Sequence, residues 1–248
     1  MLAPALDHAL GIAGGSSPPV GGLLAPDVQA WFASAEQSLV AAIESVRGSD
    51  AAAAALARLA PSTLTVGAAV VADDACWAEV TRRGDRGGAE TCIVGLTYDD
   101  RGAVSRMVWL RAPLAPTPSF DEEGPAPDGR PIVERYLTDL MGSRFREAAA
   151  HFTVDTIYSH PPYAGGTERV LFRGREALGH GFATERGPSP VRQIITHFWQ
   201  RAGRVFVEGV IEGIPDGGTF FSTAQITSEG EIARYVAFYS AERIPACR

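Results

Sequence analysis

The chain has 248 residues, of which 46% are hydrophobic, and its formal net charge is -7. This composition predicts a globular protein with one large core or two small ones. The negative charge argues against a nucleic acid or an anionic membrane as partner, because both require a basic surface. All 22 basic residues are arginine, so the chain has no lysine, and it has no asparagine either. This composition is typical of a GC-rich bacterial gene. The absence of lysine excludes a Schiff-base lysine and the lysine of a phosphate loop.

Residues 1–24 are rich in glycine, proline and serine, a composition that predicts a flexible arm. They have neither the basic start nor the continuous apolar run of a secretory signal, and no segment approaches the roughly 18 apolar residues of a membrane span. The cysteines Cys76, Cys92 and Cys247 lack the spacing of metal ligands. We therefore expect a cytoplasmic protein that has no membrane partner and needs no metal or other cofactor.

Residues 25–112 are predicted to form a first domain that begins with a helix. The stretch "PDVQAWFASAEQSLVAAIESV" has a stripe of apolar side chains at helical spacing, namely Val28, Trp31, Phe32, Ala35, Leu39, Ile43 and Val46. An alanine-rich segment follows and predicts a second helix. The rest of this domain alternates between apolar and polar residues in runs separated by turns, which predicts antiparallel strands.

Residues 113–130 interrupt this pattern, because prolines and acidic residues crowd together and the apolar periodicity stops. This composition predicts a linker. The second domain, residues 131–248, begins with "RPIVERYLTDLMGS", which predicts a helix with proline at its start, followed again by an alanine-rich segment. The apolar stripe of that first helix consists of Ile132, Val133, Tyr136, Leu137 and Leu140.

The strands of the two halves follow the same order, which predicts an internal repeat. Gly102 and Arg106 align with Gly230 and Arg234, and each pair is separated by 128 positions. The segment "DTIYSHPPYAGGTERVLFRGREALGHGF" predicts a strand, a turn and a short helix, and it has no predicted counterpart in the first half. We therefore expect a shortened first copy and a complete pocket in the second copy only.

The order of elements in the second half resembles the nuclear transport factor two-like superfamily and, within it, the SnoaL-like group. The resemblance depends on an "HP" turn that ends a short strand, a helix that begins at "FRGREAL", and a last strand that reads "GEIARYVAFY". It implies an α+β fold of the cystatin-like roll type, in which a cone-shaped, curved antiparallel sheet packs on helices. The shortened first copy then implies a tandem pseudo-dimer.

The resemblance also implies which residues line an apolar pocket. His160 takes the place of the general-base aspartate of ketosteroid isomerases, and Tyr158 and His160 match two water-holding residues of limonene epoxide hydrolases. The arginine and aspartate of those hydrolases fall on Gly209 and Ile211 in this chain. We predict that His160 and Tyr158 are catalytic, and that the ligand-binding residues are Tyr163, Phe182, His197, Trp199, Gly209 and Ile211.

Two functions remain open for such a pocket. An acid/base enzyme would use His160 to move a proton on a hydrophobic small molecule, in a cyclisation, isomerisation, dehydration or epoxide opening. The resemblance to SnoaL-like polyketide cyclases implies a role in bacterial natural-product biosynthesis. A binding protein would use His160 and Tyr158 only to orient a ligand, and the loss of the hydrolase arginine and aspartate favours this alternative. The rigid turn after His160 is equally typical of a purely structural element.

Other residues also have more than one interpretation. His197 fits a buried core histidine as well as a pocket residue. Glu208 and Glu212 are predicted as surface carboxylates if Gly209 and Ile211 face the pocket, because alternate residues of a strand point to opposite faces. Cones of this kind often pair through their sheets, so we expect either a monomeric pseudo-dimer or a homodimer formed through the sheet faces.

Overall fold

The computed structural model describes residues 23–33, 43–58, 62–72, 74–84, 89–112, 125–163, 168–213, 215, 217–240 and 243–245. The residues described before and after the segment 113–124 form two compact units, each with its own hydrophobic core. The predicted flexible arm and most of the predicted linker lie outside the described residues.

The first unit contains a six-stranded sheet and one described helix. Its elements are β1 (Leu24–Ala33), β2 (Ile43–Arg47), α1 (Ser49–Ala57), β3 (Ser62–Val71), β4 (Ala75–Gly84), β5 (Ala89–Tyr98) and β6 (Val104–Ala112). The strand order is β2-β1-β6-β5-β4-β3. All neighbouring strands are antiparallel except β1 and β6, which are parallel.

The second unit contains a second six-stranded sheet and more helical structure. Its elements are α2 (Arg130–Met141), α3 (Phe145–Ala150), β7 (Phe152–His160), β8 (Val170–Arg173), α4 (Arg175–Gly181), a π-helix (Phe182–Arg186), β9 (Arg192–Arg201), β10 (Arg204–Glu212), β11 (Gly218–Ile226) and β12 (Ile232–Ser240). The strand order is β8-β7-β12-β11-β10-β9, with β7 and β12 parallel.

The two sheets are copies of one topology, and this similarity extends to their irregularities. In the first unit the parallel register shifts between the pairs Leu24–Val104 and Gln29–Arg106. In the second unit it shifts at the corresponding place, between the pairs Phe152–Ile232 and Ile157–Arg234. Repeated strand order with repeated bulges is not expected of two unrelated sheets, because bulges are specific local features. The predicted α+β class and the two-copy arrangement are confirmed.

The helix predicted over the start of the first domain is wrong. Residues 24–33 and 43–47 form β1 and β2 instead. Ala30, Trp31 and Phe32 are consecutive and all buried, so both sides of β1 are covered. A strand buried on both sides loses the polar alternation that identifies strands, and its apolar residues then match helical spacing by chance.

The prediction of which segment the first copy lacks is also wrong. β1 pairs with β2 and α1 follows, just as β7 pairs with β8 and α4 follows in the second unit. Both units therefore contain the two paired strands and the helix of this segment. The described residues of the first unit instead contain no counterpart of α2 and α3. In the second unit, α2 buries the five apolar residues that its sequence pattern predicted.

A glycine with positive φ connects the short edge strand to the following helix in each unit. Gly48 has φ 97° and ψ 150°, and Gly174 has φ 89° and ψ 146°. The Gly48 amide donates to the Val28 carbonyl and the Gly174 amide to the Thr156 carbonyl, each at 2.8 Å. The acceptors lie on β1 and β7, the strands that pair with the edge strands β2 and β8, so each bond fixes the start of the helix to the sheet.

We expect Gly174→Ala to lower the free energy of unfolding of the second unit by about 2 kcal/mol, because this φ and ψ region is essentially restricted to glycine. Gly48→Ala should destabilise the first unit by a similar amount. Hydrogen exchange of strand amides, measured separately for each unit, checks both effects. The control is Gly179→Ala within α4, where alanine favours the helix and its Cβ lies 3.3 Å from Ala149 Cβ. Equal losses from Gly179→Ala and Gly174→Ala would contradict the conformational argument.

Candidate functional site

A cluster of polar aromatic side chains lies inside the second unit, between its sheet and α2. It contains five tyrosines, one histidine and one glutamine: Tyr136, Tyr158, His160, Tyr163, Gln193, Tyr235 and Tyr239. α2, β7, β9 and β12 supply six of these residues, and the turn after β7 supplies Tyr163. Alternate residues on β7 and β12 point to the same face, which brings the rings together.

His160 is held at both ring nitrogens. Nδ1 lies 2.6 Å from the Pro161 carbonyl oxygen, and because a carbonyl only accepts, Nδ1 carries the proton. Nε2 then accepts from the Tyr239 hydroxyl at 2.8 Å. The Tyr239 oxygen in turn accepts a hydrogen bond from the Gln193 side-chain amide. Gln193, Tyr239 and His160 therefore form one directed chain that ends at the backbone of the proline turn.

Burial is the main cause that lowers the pKa of His160 to about 3; the hydrogen bond to Pro161 opposes it, and the charges of Arg169 and Arg186 contribute to the lowering. The imidazole is therefore neutral near pH 7. A neutral imidazole with so low a pKa is a weak base and has no proton to spare as an acid. This environment does not favour the predicted role of His160 in proton transfer, and it does favour a role in fixing Tyr239.

The tyrosine hydroxyls are the other polar groups of the interior. The hydroxyls of Tyr136 and Tyr158 lie 3.2 Å apart, and the rings of Tyr158 and Tyr235 stack at 5.6 Å. Burial raises the pKa of Tyr136, Tyr158 and Tyr239 well above its ordinary value and that of Tyr235 to about 12, so these phenols remain protonated. The hydroxyls of Tyr163 and Tyr235 are buried and make no hydrogen bond of normal geometry with a described residue, although Tyr158 lowers the pKa of Tyr163 and Ser222 lowers that of Tyr235 against the effect of burial.

Apolar side chains surround the cluster at several of the predicted positions. Phe182 is fully buried and its ring lies edge-on to Tyr158 at 5.3 Å. Ile211 also belongs to this core. Gly209 faces the interior, and the Phe220 ring occupies the space where a side chain would be, because a Cβ at Gly209 would lie 2.3 Å from that ring. The interior thus combines aromatic walls with a few hydroxyl groups.

His197 and Trp199 do not line this interior. They lie opposite Glu208 and Phe206 on β10, whereas Phe198 lies opposite Val207 of the core. Their rings stack on each other at 5.5 Å on the opposite face of the sheet. The two residues therefore lie outside the interior in which the sequence placed them, and their role in ligand binding stays a prediction.

The two glutamates of β10 differ in their burial. Glu212 is exposed, but Glu208 is only 1% exposed, so the prediction of a surface carboxylate fails for Glu208. Glu79 occupies the corresponding position of β4 and is also buried. Arg106 and Arg234, which the repeat places at equivalent positions, are buried as well rather than on an open sheet surface.

The first unit has no equivalent of the polar cluster among its described residues. The register places Ala30 where Tyr158 lies and Phe32 where His160 lies, while Met107 and Trp109 take the places of Tyr235 and Ala237. These residues belong to the apolar core of that unit. Among the described residues, the side chains of the candidate site are therefore found in the second copy alone, because the equivalent positions of the first copy carry apolar side chains.

The described part of the chain contains neither a cluster of metal-ligand side chains nor a membrane-spanning helix. No group of three or more histidine, cysteine, aspartate or glutamate side chains there could hold a metal ion. None of the helices there is long and apolar enough to cross a membrane. Cys76 and Cys92 are buried and form no disulfide with a described residue, and burial raises the pKa of the Cys92 thiol to about 12, so this thiol is not activated.

The geometry therefore provides neutral hydrogen-bond donors in an apolar environment. A phenol in such an environment can donate a hydrogen bond to a ligand carbonyl or to an oxygen that develops negative charge. This hydrogen bond is stronger there than in water. The Tyr239 oxygen is fully oriented by Gln193 and His160. Among the remaining hydroxyls of the cluster, those of Tyr163 and Tyr235 make no hydrogen bond of normal geometry with a described residue. Sequence reasoning missed Tyr239 and Gln193.

Comparison with known proteins concerns the fold alone. No family model and no curated protein sequence matches the chain. Solved structures that match include an NTF-2-like protein from Burkholderia xenovorans LB400, with 15% identity, 48% of this chain and 86% of that chain covered, and a TM-score of 0.35.

A protein with a ketosteroid isomerase-like fold from Catenulispora acidiphila DSM 44928 matches with 21% identity and a TM-score of 0.37, covering 47% of this chain and 88% of that chain. The epoxide hydrolase/cyclase-like enzyme SalBIII of salinomycin pyran ring formation matches with 18% identity and a TM-score of 0.37, covering 46% of this chain and 91% of that chain. Each relative is thus about half the length of this chain.

Proposed function

We propose that the second unit binds a hydrophobic small molecule and holds an oxygen atom of that molecule through the Tyr163 hydroxyl. The observation that carries this proposal is a buried hydroxyl without a hydrogen-bond partner beside the chain of Gln193, Tyr239 and His160. A buried polar group without a partner is costly, and a ligand oxygen would supply the missing bond. The aromatic walls would exclude water from the bound molecule.

The directed chain has a specific role in this proposal. Because Gln193 and His160 fix the Tyr239 hydroxyl, its orientation does not need to be ordered when a ligand binds. Such preorganisation lowers the entropic cost of binding. The Tyr239 oxygen retains a lone pair for a ligand donor. The site would therefore distinguish a ligand with one acceptor and one donor from a pure hydrocarbon.

Catalysis of a proton rearrangement is the second candidate function, as in an isomerase, dehydratase or epoxide-opening cyclase. The convergence of five tyrosines favours it, because preorganised phenols stabilise developing oxyanions. The low pKa of His160 counts against it, because no strong base then faces the ligand. Binding is therefore the function that the geometry supports best.

The test is equilibrium binding of the full chain to a set of aliphatic and aromatic ketones, alcohols and carboxylic acids, followed by mass spectrometry of the retained compounds. We expect Tyr163→Phe to weaken binding of the retained compounds by about fivefold to tenfold, the value of one buried neutral hydrogen bond. Tyr98→Phe is the matched control, because it removes a buried hydroxyl from the first unit. A compound recovered with altered structure would favour the catalytic candidate.

Binding that Tyr163→Phe and Tyr98→Phe weaken equally would contradict the proposed location of the site. Failure of the whole set to bind the wild-type chain would overturn the proposal itself.

A further inference from the structure

The interior face of the first unit's sheet is buried more widely than its described helix can cover. α1 packs on β1 and β2, at one end of the sheet. The side chains that β4, β5 and β6 place on the same face are also fully buried, namely Cys76, Ala78, Cys92, Val94, Leu96, Met107 and Trp109. Burying one face of a sheet requires an element packed on that face. These three strands therefore need a cover besides α1.

In the second unit, α2 provides this cover. A Cβ at Gly129, which precedes α2, would lie 3.0 Å from the side chains of Val205 on β10 and Ile226 on β11. Further along α2, the Tyr136 ring contacts the Tyr235 ring of β12 at 5.3 Å. The repeat equates these three strands with β4, β5 and β6. A counterpart of α2 would therefore cover the part of the first sheet that α1 leaves.

The sequence of residues 1–22, which lie outside the described part of the chain, supplies a candidate. With residue 4 aligned to residue 131, "PALDHALGIAGG" repeats the pattern of "PIVERYLTDLMG". Proline begins both stretches and glycine ends both, as is typical of the two ends of a helix. Asp7 and His8 fall at exposed positions of α2. The five positions at which α2 buries a side chain all carry apolar residues here, namely Ala5, Leu6, Ala9, Leu10 and Ala13.

The sizes of the side chains in the two interiors support this register. Ala9 falls at the position of Tyr136, whose ring packs on the sheet of the second unit. In the first unit Trp109 takes the place of Ala237 and is fully buried. A small residue on the segment would thus be matched by a large one on the sheet, which keeps an interior close-packed.

The chain between this segment and β1 has the length that the repeat requires. Leu24, at the start of β1, follows Gly15 by nine positions. Phe152, at the start of β7, follows Gly142 by ten positions. The connection that places α2 over the second sheet is therefore available, within one residue, to the segment that precedes the first sheet.

Other parts of the chain outside the described residues fit this face less well. Residues 34–42 connect the paired strands β1 and β2, and they correspond to the turn between β7 and β8. Residues 113–124 contain three prolines, which interrupt helices.

We propose that residues 4–14 dock on the interior face of the first unit's sheet as the counterpart of α2, with Leu6 and Leu10 directed at β4, β5 and β6. Composition alone predicts a flexible arm for this part of the chain. Gly11 and Gly14 make the isolated segment a weak helix former, so packing on the sheet supplies the stability. The first unit would then fill its interior with its own chain and leave ligand binding to the second unit.

The test is the reactivity of the two cysteines that lie on this face. Cys247→Ser in the full chain removes the third thiol and leaves Cys76 and Cys92. We expect iodoacetamide to alkylate both thiols slowly under native conditions, as followed by mass spectrometry of the peptides. Leu10→Asp should raise both rates by at least about tenfold, because a carboxylate at this buried position opposes docking.

Ile12→Asp is the matched control, because Ile12 falls at the partly exposed position of Asp139 and should change the rates by less than about twofold. Hydrogen exchange of the β5 amides shows whether Leu10→Asp uncovers the face or unfolds the first unit, and either result with a silent Ile12→Asp supports docking. Rapid alkylation without either substitution would show that nothing covers the face and would overturn the proposal. Equal effects of the two substitutions would overturn the register, and no effect of either would show that residues 4–14 do not dock.

Discussion

Between about pH 7.5 and pH 5 we expect the free energy of unfolding of the second unit to fall by about 2 kcal/mol because of His160. The pKa of His160 is about 3 in the folded protein, and an exposed histidine titrates near 6.5. Below about pH 6.5 the unfolded chain therefore binds a proton that the folded chain does not. The contribution of neutral His160 to the free energy of unfolding is fully present above the pKa that His160 has in the unfolded chain. It decreases as the pH falls and stops decreasing near the pKa that His160 has in the folded protein.

Hydrogen exchange of the β7 and β12 amides at several pH values measures this slope for the second unit alone. His160→Gln should remove about 2 kcal/mol of the pH dependence between pH 7.5 and pH 5, whatever its effect on stability at pH 7.5. His180→Gln removes an exposed histidine of the same unit and should keep the wild-type slope. If the slopes of wild type and His160→Gln coincide, the imidazole is not held neutral by burial.

The same residue illustrates what the sequence could predict about the site. The two prolines after His160 and the alternation along β7 were sufficient to place Tyr158 and His160 on one strand face. The partner of His160 could not be inferred, because Tyr239 lies on β12, 79 positions away. A signal was present: Tyr235, Ala237 and Tyr239 share one parity in the last strand, so a tyrosine two positions from Ala237 must share its face.

The error at His197 has a different physical cause. The register between β9 and β10 shifts at Glu208 and Gly209, so residues 193 and 195 share a face with residues 198 and 200. A bulge of one residue reverses the parity of everything beyond it. No residue type in "QIITHFWQ" marks that bulge, and regular alternation therefore placed His197 on the wrong face.

β1, which was predicted as a helix, shows which elements a local sequence pattern cannot identify. α2 has one buried face and was predicted correctly, since its stripe of five apolar residues matches its period. β1 is buried on both sides, and its pairing with β6 joins residues about 77 positions apart. Only tertiary contacts distinguish such a strand from a helix, and the internal repeat was the one feature of the sequence that could have revealed it.

The repeat also explains how the two interiors are filled. Gly209 lies opposite Phe220 across β10 and β11, and the corresponding pair in the first unit is Val80 opposite Cys92. A small residue thus faces a large one in the second unit, and two residues of intermediate size face each other in the first. Gly209 lies at the bulge between β9 and β10, and Val80 lies at the bulge between β3 and β4. The shared position of the bulge supports the equivalence of the two pairs.

We expect Gly209→Val to destabilise the second unit by about 3 kcal/mol, because the new Cβ would lie 2.3 Å from both the Phe220 ring and the Ile194 carbonyl oxygen. Adding Phe220→Cys recreates the pair found in the first unit. This double variant should be more stable than Gly209→Val alone, with a coupling energy of about 1 to 3 kcal/mol.

Hydrogen exchange of the β10 and β11 amides in the wild type, both single variants and the double variant gives this coupling energy. Phe220→Cys alone should be destabilising, because it leaves a cavity that a glycine cannot fill. Strictly additive losses would show that the clash involves only the backbone at Ile194. In that case the two units would have reached their packing by different backbone geometry, and the shape of the interior would not depend on the exchange of large and small side chains.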